Sequence, residues 1–319
     1  MGGVGIKQLI FVPAMLILIA SLEASATIIH IPDDYSAIQE GIDASSDWDT
    51  VLVADGRYYE RINFRGKDIV VASQFIIDGD TAHIHNTIID ADTLVSGVAD
   101  TGSVVCFAGN EYISSIIRGF TIQNGIGTIY LLDQRCGGGI FCYYSSPSIE
   151  DNIIINNSAG NLGGGISCNY SNAIVKNNVI IENAVDGFNV GGGGISCMQA
   201  SIAIENNIIG DNHCRGEVSE WGYAYGGAIS LKHSYSFMVG NIIVNNRAES
   251  EGIENAFGGG ISCDFNSGPT LINNTITRNS ANCGGGFYCA YYTSPSLINN
   301  ILWADTATTS GNELLINGD

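Results

Sequence analysis

Positive charge is what this chain has least of. Among 319 residues only 12 are Lys or Arg, against 32 Asp or Glu, for a formal net charge of -20 at pH 7. Neutralising nucleic-acid phosphates or anionic lipid takes clustered cations, so neither is expected as a partner. Charged residues of both signs make up just 14% while apolar ones reach 45%, which excludes a disordered chain and implies a large interior. No Cys-x-x-Cys pair occurs among the nine cysteines, which argues against a zinc site. No stretch carries two ten-residue helical periods in succession, so a helical solenoid is excluded.

Long apolar runs are also missing after the N-terminus. There, Lys7 precedes an apolar stretch from Leu9 to Ala20, broken by Pro13, and Ala24-Ser25-Ala26 follows as a small-residue cleavage signal. The run is shorter than the roughly 20 residues a spanning helix needs. Residues 1–26 are therefore expected to be a signal peptide, leaving an exported chain with no transmembrane segment, secreted or held at the cell surface.

What the chain has in abundance is Gly, 41 residues, and Asn, thirty, both in register with a repeat. Gly137-Gly138-Gly139-Ile140-Phe141-Cys142 returns at Gly163–Cys168, Gly192–Cys197, Gly258–Cys263 and Gly284–Cys289, with a degenerate copy ending at Leu231. Counting Cys106 as an earlier copy, the spacings are 36, 26, 29, 34, 32 and 26 residues. Two polar columns accompany them: Asn152, Asn178, Asn207, Asn241, Asn274, Asn300, and five residues later Asn157, Asn183, Asn212, Asn246, Asn279, Asp305. Aliphatic residues flank the first column, as in Ile149 and Ile154. Periods of 20–50 residues mean a solenoid, propeller or array. The short Ile- and Val-rich runs read as three strands per unit, and the shortest unit, 26 residues, is too small for a propeller blade.

The expected fold is all-β: a right-handed parallel β-helix of about eight coils, with residues 27–100 as N-terminal cap and first coils and 101–319 as repeats. Stacked Asn should form hydrogen-bonded ladders. The Cys column, which accepts Leu231, should be an apolar thiol slot. Length varies almost wholly between the second Asn column and the Gly triplet, so insertions should leave from one edge. A short capping helix is expected over Tyr35–Ala44, begun by Asp33 or Asp34. With no C-terminal cap visible after Leu314-Leu315-Ile316, further coils or an anchor are expected beyond residue 319.

Segments Tyr35-Ser36-Ala37-Ile38-Gln39, Asp49-Thr50-Val51-Leu52-Val53 and Gly56-Arg57-Tyr58-Tyr59-Glu60, with the Gly-Gly-Gly-Ile-x-Cys and Asn-x-Ile repeats, resemble secreted right-handed parallel β-helix proteins of the pectin-lyase-like superfamily. The resemblance spans Ile31 to the end. It implies the fold and leaves function open, since that group holds lyases, hydrolases, epimerases, esterases and adhesins. The paired-Asp, Gly-His-Gly and Arg-x-Lys motifs that the group's hydrolases share are missing here. Asp78-Gly79-Asp80 and Asp90-Ala91-Asp92 fit turn chemistry better than a catalytic pair.

The outward column between Ile and Cys (Phe141, Ser167, Ser196, Ser230, Ser262, Tyr288) carries no charge. Candidate binding residues are therefore sought beside it and in the insertions: Lys232 and Asp264 on adjacent coils, and Arg215, Glu217 and Trp221 in the 211–225 insertion facing Glu249. Their carboxylates could serve calcium or sugar, although no EF-hand spacing occurs. No catalytic residue and no metal ligand is assigned. The leading expectation is a non-catalytic exported scaffold contacting glycans or cell-surface proteins. The alternative is a polysaccharide-active enzyme, a lyase more than a hydrolase.

Overall fold

The structure, a computed structural model, describes residues 26–92, 102–130, 134–217, 222–250, 255–290 and 292–317. The expected signal peptide lies outside these residues apart from Ala26. Among the described residues no helix is long and apolar enough to cross a membrane.

The chain winds as a right-handed parallel β-helix. A first sheet of ten strands begins at Ile28–Ile31 and ends at Ser296–Ile298. A second runs through nine strands from Gly56–Tyr58 to Ile301–Trp303. The third has nine, from Ile62–Asn63 to Leu314–Ile316. Nine stacked strands make eight turns from first to last. Each coil visits the three sheets in order, and one continuous core of Ile, Val, Phe and Cys fills the interior.

Buried amides hold the corners. Asn183 gives both its backbone N–H and its Nδ2 to the Oδ1 of Asn212, each at 3.0 Å, and Nδ2 also reaches the Ile154 carbonyl at 2.9 Å. The same bonds recur from Asn157 to Asp305 and, at the other corner, from Asn152 to Asn300. An amide carries donor and acceptor on one short arm, so each Asn accepts from one neighbour while donating to the other. In the coil before the ladders, the N–H groups of Phe120 and Gly125 donate to Asn152 and Asn157. The residue before each ladder Asn is left-handed, as at Asn177 (φ 56) and Glu182 (φ 55). At the third corner the Gly triplet divides the work. Gly163 is left-handed (φ 64), and a Cβ on Gly164 would lie 2.5 Å from the backbone oxygens of Ala184 and Gly193.

Several expectations are corrected. Cys106 does not occupy the Cys column: Phe107 pairs with Cys142, and Cys106 sits beside Phe141 on the other face. Phe64 and Phe107 fill the slot in the first coils, their ring centroids 4.2 Å apart. The thiol slot itself stands as expected: Cys142, Cys168, Cys197, Cys263 and Cys289 are buried, and all nine cysteines are free thiols. The helix spans Ile38–Ala44, and neither Asp33 nor Asp34 caps it. Instead Glu60, from the next coil, accepts the N–H groups of Ile38 and Gln39 at 2.9 Å each. Two short helices, Phe75–Asp78 and Ala82–Asn86, had no sequence expectation.

The insertions leave from one edge, as expected. They are paired strands. Outgoing segments such as Ala184–Gly187, His213–Gly216 and Arg247–Ser250 stack in parallel, and returning segments Asn189–Gly191, Tyr223–Tyr225 and Ala256–Phe257 stack beside them. Together they make a fin with its own thin core of Ala159, Val185, Val190, Cys214, Ala224, Ala248, Ala256 and Ala281.

Candidate functional site

The fin covers the face that the sequence places outward. Phe141, Ser167, Ser196, Ser230, Ser262 and Tyr288 stand in one register column, and all are buried. A Cβ on Gly191 of the returning strand would lie 2.8 Å from Ser230 Oγ, so fin and sheet touch there.

Of the expected binding residues, the structure brings two together. Lys232 and Asp264 are register partners on adjacent coils and line the same cleft between fin and third sheet, with Ser196, Ser230, Met198 and Tyr225. They form no ion pair with each other within 4.0 Å. The Lys232 ammonium lies 4.3 Å from the centre of the Phe265 ring, a cation–π contact, and Asp264 accepts the N–H of Phe265 at 3.0 Å. Burial raises the Asp264 carboxyl above the ordinary carboxylate range, against the pull of Lys232 and His233. Burial also raises the Tyr225 phenol, with Asp264 adding to the shift.

Arg215 lies elsewhere. It projects exposed from the fin beside a groove of about 340 Å³ that it shares with Arg247, Glu249 and Asn282. Its register neighbours are Asp186, 4.0 Å away, and Glu249. Glu249 is taken by Arg247 and by His213 at 3.2 Å. Glu217 is exposed at the end of the strand, and Trp221 lies outside the described residues. Arg215 and Lys232 thus line separate cavities. Among the described residues no three His, Cys, Asp or Glu side chains could hold a metal ion, so the calcium expectation finds no ligand set.

The Asp pairs serve turns. Asp78, Asp80 and Asp90 each accept the N–H two residues on, and Asp90 is buried against Arg57 at 3.0 Å.

The sequence expectations missed a corner column that carries large exposed side chains. Two residues beyond the slots at Cys142, Cys168, Cys197, Leu231 and Cys263 the chain turns through a left-handed residue: Tyr144, Tyr170, Gln199, His233, Phe265. Asn and Gly fill much of the equivalent position before the ladder amides, because a larger side chain is strained there. Here the large side chains are kept and exposed. Tyr144 and Tyr170 stack at 4.6 Å with planes 10° apart, and Tyr143 meets Tyr144 edge-on at 4.6 Å. Tyr130 closes the patch 5.1 Å from Tyr143, its phenol pushed up to about 12 by burial and by Tyr143. From Tyr143 the register column runs through Asn169 and Met198 to Lys232 and Asp264, so patch and cleft share one face.

No family model and no curated sequence matches the chain. It is similar to solved structures of low identity. Pectin methylesterase from Carrot is 13% identical at a TM-score of 0.47, covering 93% of this chain and 89% of that one. Pectin methylesterase PemA from Erwinia chrysanthemi is 10% identical at 0.49, with 91% and 92% covered. The alginate lyase from Paenibacillus sp. str. FPU-7 is 12% identical at 0.43, with 90% and 99% covered. The likeness is confined to the fold and carries over no residue role and no activity.

Proposed function

We propose that this chain is an exported β-helix scaffold, secreted or displayed at the cell surface, that binds glycans without cleaving them. The observation carrying this reading is the tyrosine patch: Tyr144 and Tyr170, stacked and exposed at a corner whose backbone disfavours them. A sequence that breaks a local rule in successive coils keeps the side chain for what it contacts. Stacked phenols offer flat apolar faces edged with hydroxyls, which suits the alternating C–H and O–H surface of a sugar ring. The test is affinity electrophoresis through gels containing neutral polysaccharides. Retardation of the native chain, lost in a Tyr144→Ala, Tyr170→Ala double variant with unchanged thermal midpoint, supports the reading; equal mobility of both overturns it.

A second reading, a polysaccharide-active enzyme, is favoured by one observation. Asp264, with its raised carboxyl pKa, shares a cleft with Lys232 and Tyr225, groups able to move protons at a sugar.

A further inference from the structure

The cleft between the fin and the third sheet measures about 70 Å³. Sites that enclose a whole ligand run to about 300 Å³ or more, so this one has room for a substituent of a few heavy atoms and not for a sugar ring. Its walls differ in kind. Leu162 of the fin and Met198 of the sheet give an apolar side, while Val190 turns its side chain into the fin core. Ser196 and Ser230 supply hydroxyls, and Asp264 supplies a carboxylate. Among the described residues Asp264 makes no ion pair within 4.0 Å, because Lys232 rests on Phe265.

Two polar atoms of the same face lie outside the cleft and are unpaired. Ser262 Oγ, one rung past Ser230, and Asn169 Oδ1, one rung before Met198, are fully buried without a partner among the described residues. Buried polar atoms are nearly always bonded, and exceptions call for an explanation.

We propose that the cleft seats the acetamido group of an N-acetylated, otherwise neutral sugar within a glycan lying along the solenoid axis. This rests on the glycan-binding reading above and names the class of sugar. An acetamido group has three faces that match: a methyl for Leu162 and Met198, a carbonyl oxygen to accept from a serine hydroxyl, and an N–H to donate to Asp264. A carboxylate in its place would meet Asp264 unfavourably. A bare ammonium would pair with Asp264 but would oppose Lys232 and leave the apolar wall unused, and the glucosamine hexamer measures that balance. Long-range charge agrees, since a chain at -20 repels polyuronates and other polyanions but is indifferent to neutral polymers. Tyr143 is two rungs before Met198 in the same column, about 10 Å at the strand spacing. One glycan can therefore stack on the tyrosines and dip a substituent into the cleft.

The experiment is calorimetric titration of the whole chain with hexamers of N-acetylglucosamine, glucosamine and glucose. The N-acetylated hexamer should bind at least tenfold more tightly than either other. Ser230→Leu, in a column that already accepts Phe141 and Tyr288, should fill the cleft and bring N-acetylglucosamine down to the level of glucose. Asp264→Ala should reduce the same preference without filling anything, and serves if Ser230→Leu fails to fold. Equal affinities for the three hexamers, with binding still dependent on Tyr144 and Tyr170, would overturn the acetamido assignment and leave the glycan reading standing. No binding of any hexamer, together with unretarded migration in the polysaccharide gels, would overturn both.

Discussion

Asn279 gives its backbone N–H at 2.7 Å and its Nδ2 at 2.9 Å to one carboxylate oxygen of Asp305, where the second ladder changes from amide to acid. Burial, with Glu313 beside it, raises the Asp305 carboxyl to about 7. The folded pKa thus lies above the unfolded value near 3.8, so the native chain holds a proton that the unfolded one releases. Stability from this group is full below about pH 4 and is lost as pH rises through about 7. Asp305→Asn removes that dependence and supplies the missing donor. It should stabilise the chain by about 2–4 kcal/mol at pH 8 and by much less at pH 4. Chemical denaturation at the two pH values checks the difference; equal shifts would contradict the assignment.

Within the ladder the sign reverses. Asn212→Ala leaves both the backbone N–H and the Nδ2 of Asn183 without their acceptor in a buried corner. At about 1–3 kcal/mol for each unmet buried donor, the loss should be at least about 2 kcal/mol. Asn172→Ala, at an exposed position, should stay within about 0.5 kcal/mol. Comparable losses for the two would mean the amide columns are not what holds the coils.

Thiol reactivity separates the two cysteine environments. Cys142 and Cys197 are fully buried, with thiols pushed well above their ordinary value by desolvation. Cys106, off the column and partly exposed, is raised to about 11. Native labelling at pH 8 should therefore be slow throughout, with Cys106 first, and complete only on unfolding. Cys168→Ser should cost more than Cys168→Ala, since the hydroxyl finds no partner in a dry slot while Ala leaves a small void. Peptide mapping of the label and melting curves of the two variants report on this.

The coil was legible because stacking forces like onto like. A buried corner amide must match the rung above and below, so Asn152 to Asn300 and Asn157 to Asp305 show as columns in the sequence itself. Register was less legible where neighbours are both apolar. In Val105-Cys106-Phe107 residue type favours Cys106 for the slot, yet strand pairing puts Phe107 there. The fin was missed because its strands pair across insertions of unequal length. Its one local signal was alternation, as in Ala184-Val185-Asp186-Gly187 and His213-Cys214-Arg215-Gly216. The corner of Tyr144, Tyr170, Gln199, His233 and Phe265 shares a backbone conformation and no residue type, so no periodicity marks it. Of the candidate residues, Lys232 and Asp264 were found because they flank a recognised slot. Arg215 was grouped with them through sequence proximity and belongs to another cavity.

Binding without cleavage is the central claim, and one incubation tests both halves. The chain at high concentration is held for hours with insoluble N-acetylated glycan, and separately with pectate or alginate, each with and without calcium. Bound protein, new reducing ends and the absorbance of unsaturated products are all measured. The account predicts retention on the N-acetylated polymer, displaced by its soluble hexamer, with no new ends and no unsaturated product from any substrate. Product formation abolished by Asp264→Ala or Lys232→Ala would contradict it and establish the enzyme reading instead.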